Sequence, residues 1–412
     1  PSSAASDVYK RQVLLCMMMI LSLVGCSKSQ KSNDANSNTN ILDTSYDEIL
    51  KSAKGTTVNF YGYGGNEVMN KWFDTYVIPQ MKEKYDIKVK RVGMNIDDIM
   101  NKLLSEKQAK SKDGVMDVVW INGENFKTAK ENNLLLGSFT EKLPNFNDYI
   151  DKNSETINTD FGTPVDGLEA PWGKAEFVVI KDTGKVPQNI EDTETLKEVI
   201  IKNPGKFTYP ALPDFEGSAF VRNVIYDIVG YENLINLPEN EDEVRKVIQP
   251  AMDYLNEIKP YLWNKGETYP ATIAQLDNMY SDGEVYFTMT YSPNTVKGKI
   301  DSNEYSKDTE IIAFDKGNIS NTHFLTIPEN APNKEGAMVL INFLMSIDAQ
   351  ASKTDTANWG DMTVLDMNKV PNEEKSKFSE TAEFGKTLPE LNAGLVPIIE
   401  KIWTEEVLQN GK

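Results

Sequence analysis

The chain has 412 residues, with 62 Asp and Glu against 43 Lys and Arg and a formal net charge of −19. This charge argues against a nucleic-acid partner, because there is no cationic excess to displace counterions from phosphates. Six Trp, 17 Tyr and 16 Phe exclude a disordered acidic tail, and the length allows two lobes, each with a core of its own.

Residues 1–12, "PSSAASDVYKRQ", resemble a translated sequencing adaptor and are set aside from fold reasoning. Residues 13–26, "VLLCMMMILSLVGC", predict a signal peptide whose apolar core is too short for a comfortable membrane span. They end in Leu23-Val24-Gly25-Cys26, which looks like a lipobox with Cys26 as the lipid attachment. Residues 27–45 are rich in Ser, Asn and Lys and predict a flexible tether. Cys16 would leave with the signal and Cys26 would be acylated, so no disulfide and no thiol nucleophile is expected in the mature chain. The expected location is extracytoplasmic, held to the cell membrane by the lipid.

From residue 56, "TTVNFYGYGG" predicts a strand running into Gly-rich chain. A helix follows that Pro79 would kink or end. "YDIKVKRVGM" predicts a second strand, "DDIMNKLLSEKQAKSK" an amphipathic helix and "MDVVWI" a third strand, with a helix resuming at Phe126. This alternation points to a parallel sheet. "GLEAPWGKAEFVVIKD" predicts a chain crossing between lobes. "GKFTYPALPDFEGSAFVRNVIYDIVG" predicts a strand, a Pro-bounded loop and a helix opening near Gly217 and Ser218. "GEVYFTMTYSPNTV" predicts another strand. "NTHFLTIPENAPNKEGAMVLINFLMSIDAQ" predicts a strand, a turn and an amphipathic helix.

Five predicted strands end in polar or aromatic residues, at 61–67, 122–125, 171–176, 290–295 and 321–324. In an open α/β sheet such ends gather along one edge, where ligands bind. Their Asn, Ser and backbone N–H groups suit orienting a ligand, and their Tyr and Trp suit stacking or cation–π contact. The helix start at Gly217 could hold an anion or be an ordinary cap. Catalytic patterns are sparse. A single histidine excludes a metal site of several imidazoles, no G-x-S-x-G elbow exists, and no Walker A lysine follows a Gly-rich run. Glu67 with Glu124 could serve as a glycosidase pair, but among 62 acidic residues such pairs can be chosen at will. No cofactor, no metal and no catalytic residue is expected.

Taken together, "DVVWINGENF", "GLEAPWGKAEF", "TYPALPDFEGSAF", "NTHFLTIPENA" and "NWGDMTVLD" resemble an extracellular solute-binding lipoprotein of an ABC importer, in the YnjB-like branch of the type II superfamily. The resemblance implies an α/β fold of two lobes, each a central sheet flanked by helices, joined by a hinge that closes on a ligand. Residues 46–170 would be the first part of lobe 1 and 171–300 the main part of lobe 2. Residues 301–412 would return to lobe 1 and end in helices spanning both. The implied partners are a small-molecule ligand, a permease with its ATPase subunit, and the membrane through the lipid anchor. The receptor itself would be a non-catalytic monomer. The expected cleft residues are Tyr63, Asn66, Glu67, Asn122, Gly123, Glu124, Asn125, Trp172, Glu216, Ser218, Tyr291, Asn294, Asn321, His323 and Trp359. Acidic residues outnumber basic ones within these motifs, which favours a cationic heterocycle such as thiamine or a precursor. A sugar stacked on Trp172 and Trp359 is the rival ligand, and a carboxylate-dependent glycoside hydrolase is the rival function.

Overall fold

Strand β1 (Thr57–Gly62) turns Val58, Phe60 and Gly62 inward while the residues between them stay half-buried, as the alternation in sequence requires. It is the middle of a parallel trio, pairing with β2 (Lys88–Gly93) on one side and β3 (Val118–Ile121) on the other. In this computed structural model, residues 40–379 and 384–409 are described. The adaptor-like residues, the signal segment, Cys26 and most of the tether lie outside them.

Between β1 and β2 the helix Glu67–Trp72 passes through a π-helical turn, Phe73–Val77, into a second helix, Ile78–Tyr85. Pro79 is the second residue of that helix, where its missing N–H and ring are accommodated by the widened turn before it. The amphipathic helix Ile96–Gln108 then buries Ile99, Met100 and Leu103 on its way to β3.

A short hairpin follows, β4 (Thr159–Asp160) with β5 (Thr163–Pro164). Next come β6 (Glu169–Glu176) and β7 (Val178–Asp182), separated by Phe177 alone. β7 is the centre of a second sheet, antiparallel to both β8 (Phe287–Thr290) and β9 (Thr309–Ile312). β6 instead belongs to the first sheet. It pairs antiparallel with β10 (Asn318–Thr326), which also runs antiparallel to β3 and carries the short parallel strand β11 (Thr387–Pro389). The chain therefore passes from one sheet to the other at Phe177 and returns through β10.

Each sheet has its own core. Val58, Phe60, Trp72, Trp172 and most of the helix Lys334–Leu344 fill the first, with Ile99, Val119 and Phe126 in an adjoining cluster. Val178, Ile180, Phe220, Ile248, Met289 and Trp403 fill the second. The helix Leu395–Trp403 near the C-terminus packs Leu395, Ile399, Ile402 and Trp403 into this second core, while its Val396 clusters with Phe161 and Ala393. Among the described residues no helix is long and apolar enough to cross a membrane.

Several sequence expectations are corrected. "NTHF" is not a strand end but lies inside β10, whereas "PWGKAE" does close β6 at Glu176; the two are paired along their length, with Asn321 opposite Ala175 and His323 opposite Gly173. Parallel pairing gathers the ends of β1, β2 and β3, and separately those of β10 and β11, while the second sheet is antiparallel. No strand forms at 206–211. Pro210 cannot donate to a ladder, and the carbonyls of Lys206 and Phe207 accept from the scattered amides of Tyr286 and Trp263. The helix Phe215–Val229 opens two residues before Gly217, and the helix after β3 opens at Glu124, not Phe126.

Candidate functional site

Gly123 caps the helix Glu124–Glu131 with φ 64° and ψ −135°, a conformation that favours glycine. A Cβ there would meet the Phe161 ring at 3.3 Å. The Gly123 N–H donates to Asp160 Oδ2 at 2.7 Å, so the β4–β5 hairpin is fastened beneath the end of β3. Glu124 comes next and is largely buried. Burial pushes its carboxyl up, Glu400 and Glu390 push it further, and Arg222 draws it back. Those three residues belong to elements packed on the second core. The end of β3 therefore faces the second lobe.

Arg222 is buried and spent. Its guanidinium pairs with Glu390 at 3.2 Å, and its Nη1 donates to Ser218 Oγ at 2.6 Å. Burial works against the Arg222 charge, but Glu390 outweighs it and the group stays protonated. Glu390 Oε1 also accepts from Tyr291 Oη at 2.7 Å and from Asn321 Nδ2 at 3.3 Å. The Ser218 hydroxyl in turn donates to Glu400 Oε1 at 2.7 Å. The carboxyl of Glu400 is pushed up by burial and held down in part by Ser218 and Arg222.

A second acidic group lies at the start of the helix Phe215–Val229. Asp214 accepts from the backbone N–H of Gly217 at 3.0 Å and of Ile273 at 3.1 Å. Of the two readings of the Gly217 helix start, the structure shows the ordinary cap, because the Asp214 carboxylate already occupies it. Glu216 is pushed up to about 8, chiefly by burial and then by Asp214. Tyr63, half exposed beyond the end of β1, feels burial first and then Glu216 and Asp214, so the two lobes face each other here as well. Glu124, Asp160, Glu216 and Glu400 form no ion pair among the described residues, and the one arginine beside them is taken by Glu390.

The remaining expected residues divide. Asn66 caps its helix through Met69 N at 2.9 Å, and Glu67 is exposed in the first turn. Asn122 is half-buried, and Asn125 Nδ2 donates to Glu124 Oε1 at 3.3 Å. Asn294 is buried at the start of the helix Thr295–Asp301. His323 packs edge-on to Trp120 and lies 3.5 Å from Asp361 Oδ1, whose partner oxygen pairs with the buried Lys353 at 2.6 Å. Trp172 and Trp359 are withdrawn from the surface. They are 0% and 1% exposed and pack against each other at 5.1 Å, within an aromatic cluster that includes Trp72 and Trp120. Their apolar area is worth more inside the first core than at its rim.

Asp160, Glu390 and Glu400 were not expected. In sequence they are three acids among 62, and only the hairpin and the C-terminal elements bring them to Gly123 and Arg222. No group of three or more His, Cys, Asp or Glu among the described residues is placed to hold a metal ion.

Two sheets with separate cores, joined by β6–β7 and β10, with strand ends and helix starts facing across the join, agree with the comparisons. The model of the bacterial extracellular solute-binding proteins matches residues 77–364. The chain belongs to that family. It is 34% identical over 362 residues to Protein YnjB of Escherichia coli (strain K12), covering 87% of this chain and 92% of the relative. The fold is the two-lobed type II fold of periplasmic binding proteins. The spermidine/putrescine ABC transporter substrate-binding protein PotD of Streptococcus pneumoniae aligns with a TM-score of 0.60 at 11% identity, over 85% of this chain and 98% of that one. The periplasmic binding protein AfuA of Actinobacillus pleuropneumoniae, solved with fructose-6-phosphate, aligns with a TM-score of 0.57 at 14% identity, over 86% and 99%.

Proposed function

We propose that the chain is the substrate-binding receptor of an ABC import system, capturing a small organic cation between its lobes and handing it to a membrane permease. One observation carries the choice of ligand. Carboxyl groups from both lobes face each other without an ion pair among the described residues, and the nearby Arg222 is taken by Glu390. Buried carboxylates without a counter-charge are costly, and a bound cation removes that cost. The solved structures named above are a spermidine/putrescine transporter's binding protein and a binding protein with fructose-6-phosphate bound, so the fold serves ligands of either charge. The side chains of this cleft must decide. They favour the cation over a sugar, since Trp172 and Trp359 are withdrawn into the core. A cationic heterocycle of the thiamine kind is one member of that class.

The LVGC run supports a lipid anchor at Cys26, and with it a receptor held as a monomer at the outer face of the cell membrane. The hydrolase alternative has little to draw on. Glu67 is exposed at its helix start while Glu124 is turned toward the second lobe.

The test is thermal unfolding against organic cations, sugars and phosphorylated metabolites. A ligand at about a hundred times its Kd stabilises by about 2.7 kcal/mol, enough for a shift of several degrees. Hits confined to cations support the reading. Hits confined to sugars or phosphates keep the receptor and discard the cation.

A further inference from the structure

Beside the contact between Gly123 and Asp160 lies a cavity of about 30 Å³, lined in part by Thr156, Asp160, Phe161, Asn321, Thr322 and Glu390. Its size suits one or two groups as large as a water molecule. Two of its walls are incompletely satisfied. Asn321 is 7% exposed, and its Nδ2 donates to Glu390, but its Oδ1 has no partner. Buried amide oxygens are rarely left in this state. Asp160 is 2% exposed and spends Oδ2 on the Gly123 N–H, yet it forms no ion pair among the described residues. Burial raises its carboxyl well above the usual range, and Glu124 and Glu390 raise it further.

Several other polar neighbours are occupied, among them the hydroxyls of Thr156 and Thr159, which bond Ser154 Oγ at 3.0 Å and Glu155 O at 3.0 Å. Glu390 has Arg222, Tyr291 and Asn321 around it, and the Thr322 hydroxyl donates to Thr156 O at 2.7 Å. Among the described residues, therefore, no donor reaches Asn321 Oδ1 and no cation pairs with Asp160. A water molecule supplies donors but no charge. A primary ammonium supplies three donors, no acceptor and the charge. A trimethylammonium group or an aromatic ring is too large for the space.

We propose that this cavity seats a primary ammonium group of the ligand, held by Asn321 Oδ1 and Asp160. The inference rests on the cation-receptor reading and narrows it from cations in general to amines.

The test compares n-butylamine with n-butyltrimethylammonium, titrated into the full chain and followed by ligand-observed NMR. Both probes carry one charge and the same chain, so only the head group differs. The amine is expected to bind at least about tenfold more tightly, the penalty for leaving one buried acceptor unpaired. The comparison uses the unaltered chain and needs no variant to fold. Asp160→Asn, which keeps an acceptor for Gly123 but removes the charge, is expected to erase the preference. Equal binding of the two probes overturns the ammonium seat and leaves the cation receptor intact. Binding of neither overturns the seat as well. If a neutral sugar or a phosphate binds in their place, the cation reading falls with it.

Discussion

Lys127, on the helix that follows β3, pairs at 2.7 Å with Glu239, which precedes the helix Glu241–Ile258 of the second core. The pair is partly exposed, so its contribution to folding stability is small, about 0–1 kcal/mol. It bridges the lobes, however, so its effect falls on how they sit together. Lys127→Glu is expected to enlarge the radius of gyration in small-angle scattering while leaving the unfolding midpoint nearly unchanged. The charge-swapped double variant Lys127→Glu/Glu239→Lys should restore the smaller radius. An unchanged radius in the single variant would remove the pair from any part in closure.

Glu216 gives the site a pH dependence of determined sign. Its carboxyl is raised from 4.5 to about 8, first by burial and then by Asp214. A folded pKa above the unfolded one means that its contribution to stability is complete below about 4.5 and is lost as pH rises through about 8. The unfolding midpoint should therefore fall across that window, and Glu216→Gln should flatten the slope. A bound cation favours the ionised form, so cation binding should strengthen as pH rises through about 8. Binding near neutral pH should also release a proton. Calorimetric titration in two buffers of different ionisation enthalpy measures that release, which should be smaller in Glu216→Gln, the remainder coming from the other raised carboxyls.

The first sheet was legible because period-two and helical patterns alternate cleanly from Thr57 to Ile121, and each is long enough to name its element. The crossing at Phe177 was legible in outline through the extended apolar run after Pro171. Burial of Trp172 and Trp359 was not, because an indole suits a core and a ligand platform equally well. The partners of Gly123 were also hidden. Asp160 is 37 residues away along the chain, and Glu390 lies 168 residues from Arg222, with no local pattern to mark either. Gly123 itself was marked by its glycine, since the turn requires a positive φ.

Trp172 and Trp359 separate core from cleft. Trp172→Ala and Trp359→Ala are each expected to destabilise by about 3–5 kcal/mol, as for a large aromatic removed from a packed interior. A stacking platform would behave in the opposite way, losing ligand affinity at little cost to stability. Denaturant unfolding distinguishes them. A loss below about 1 kcal/mol together with weakened binding would return the indoles to the ligand.

Arg222 and Glu390 are 1% and 2% exposed along their side chains, so neither can be removed without leaving the other buried and unanswered. Arg222→Met should cost about 3–5 kcal/mol in urea unfolding. Glu390 accepts from Tyr291 and Asn321 as well as from Arg222, so replacing it by Gln keeps an acceptor for those two donors. The double variant Arg222→Met/Glu390→Gln should therefore be more stable than Arg222→Met alone. The same argument fixes its effect on the cleft. Arg222 is the positive charge that draws the carboxyls of Glu124 and Glu400 downward. Neutralising both members of the pair removes one cation and one anion together, so affinity for a cationic ligand should change little. If the double variant were no more stable than the single one, Glu390 would have been neutralised by a proton in Arg222→Met, and that loss would reflect packing and hydrogen bonds, not an uncompensated charge.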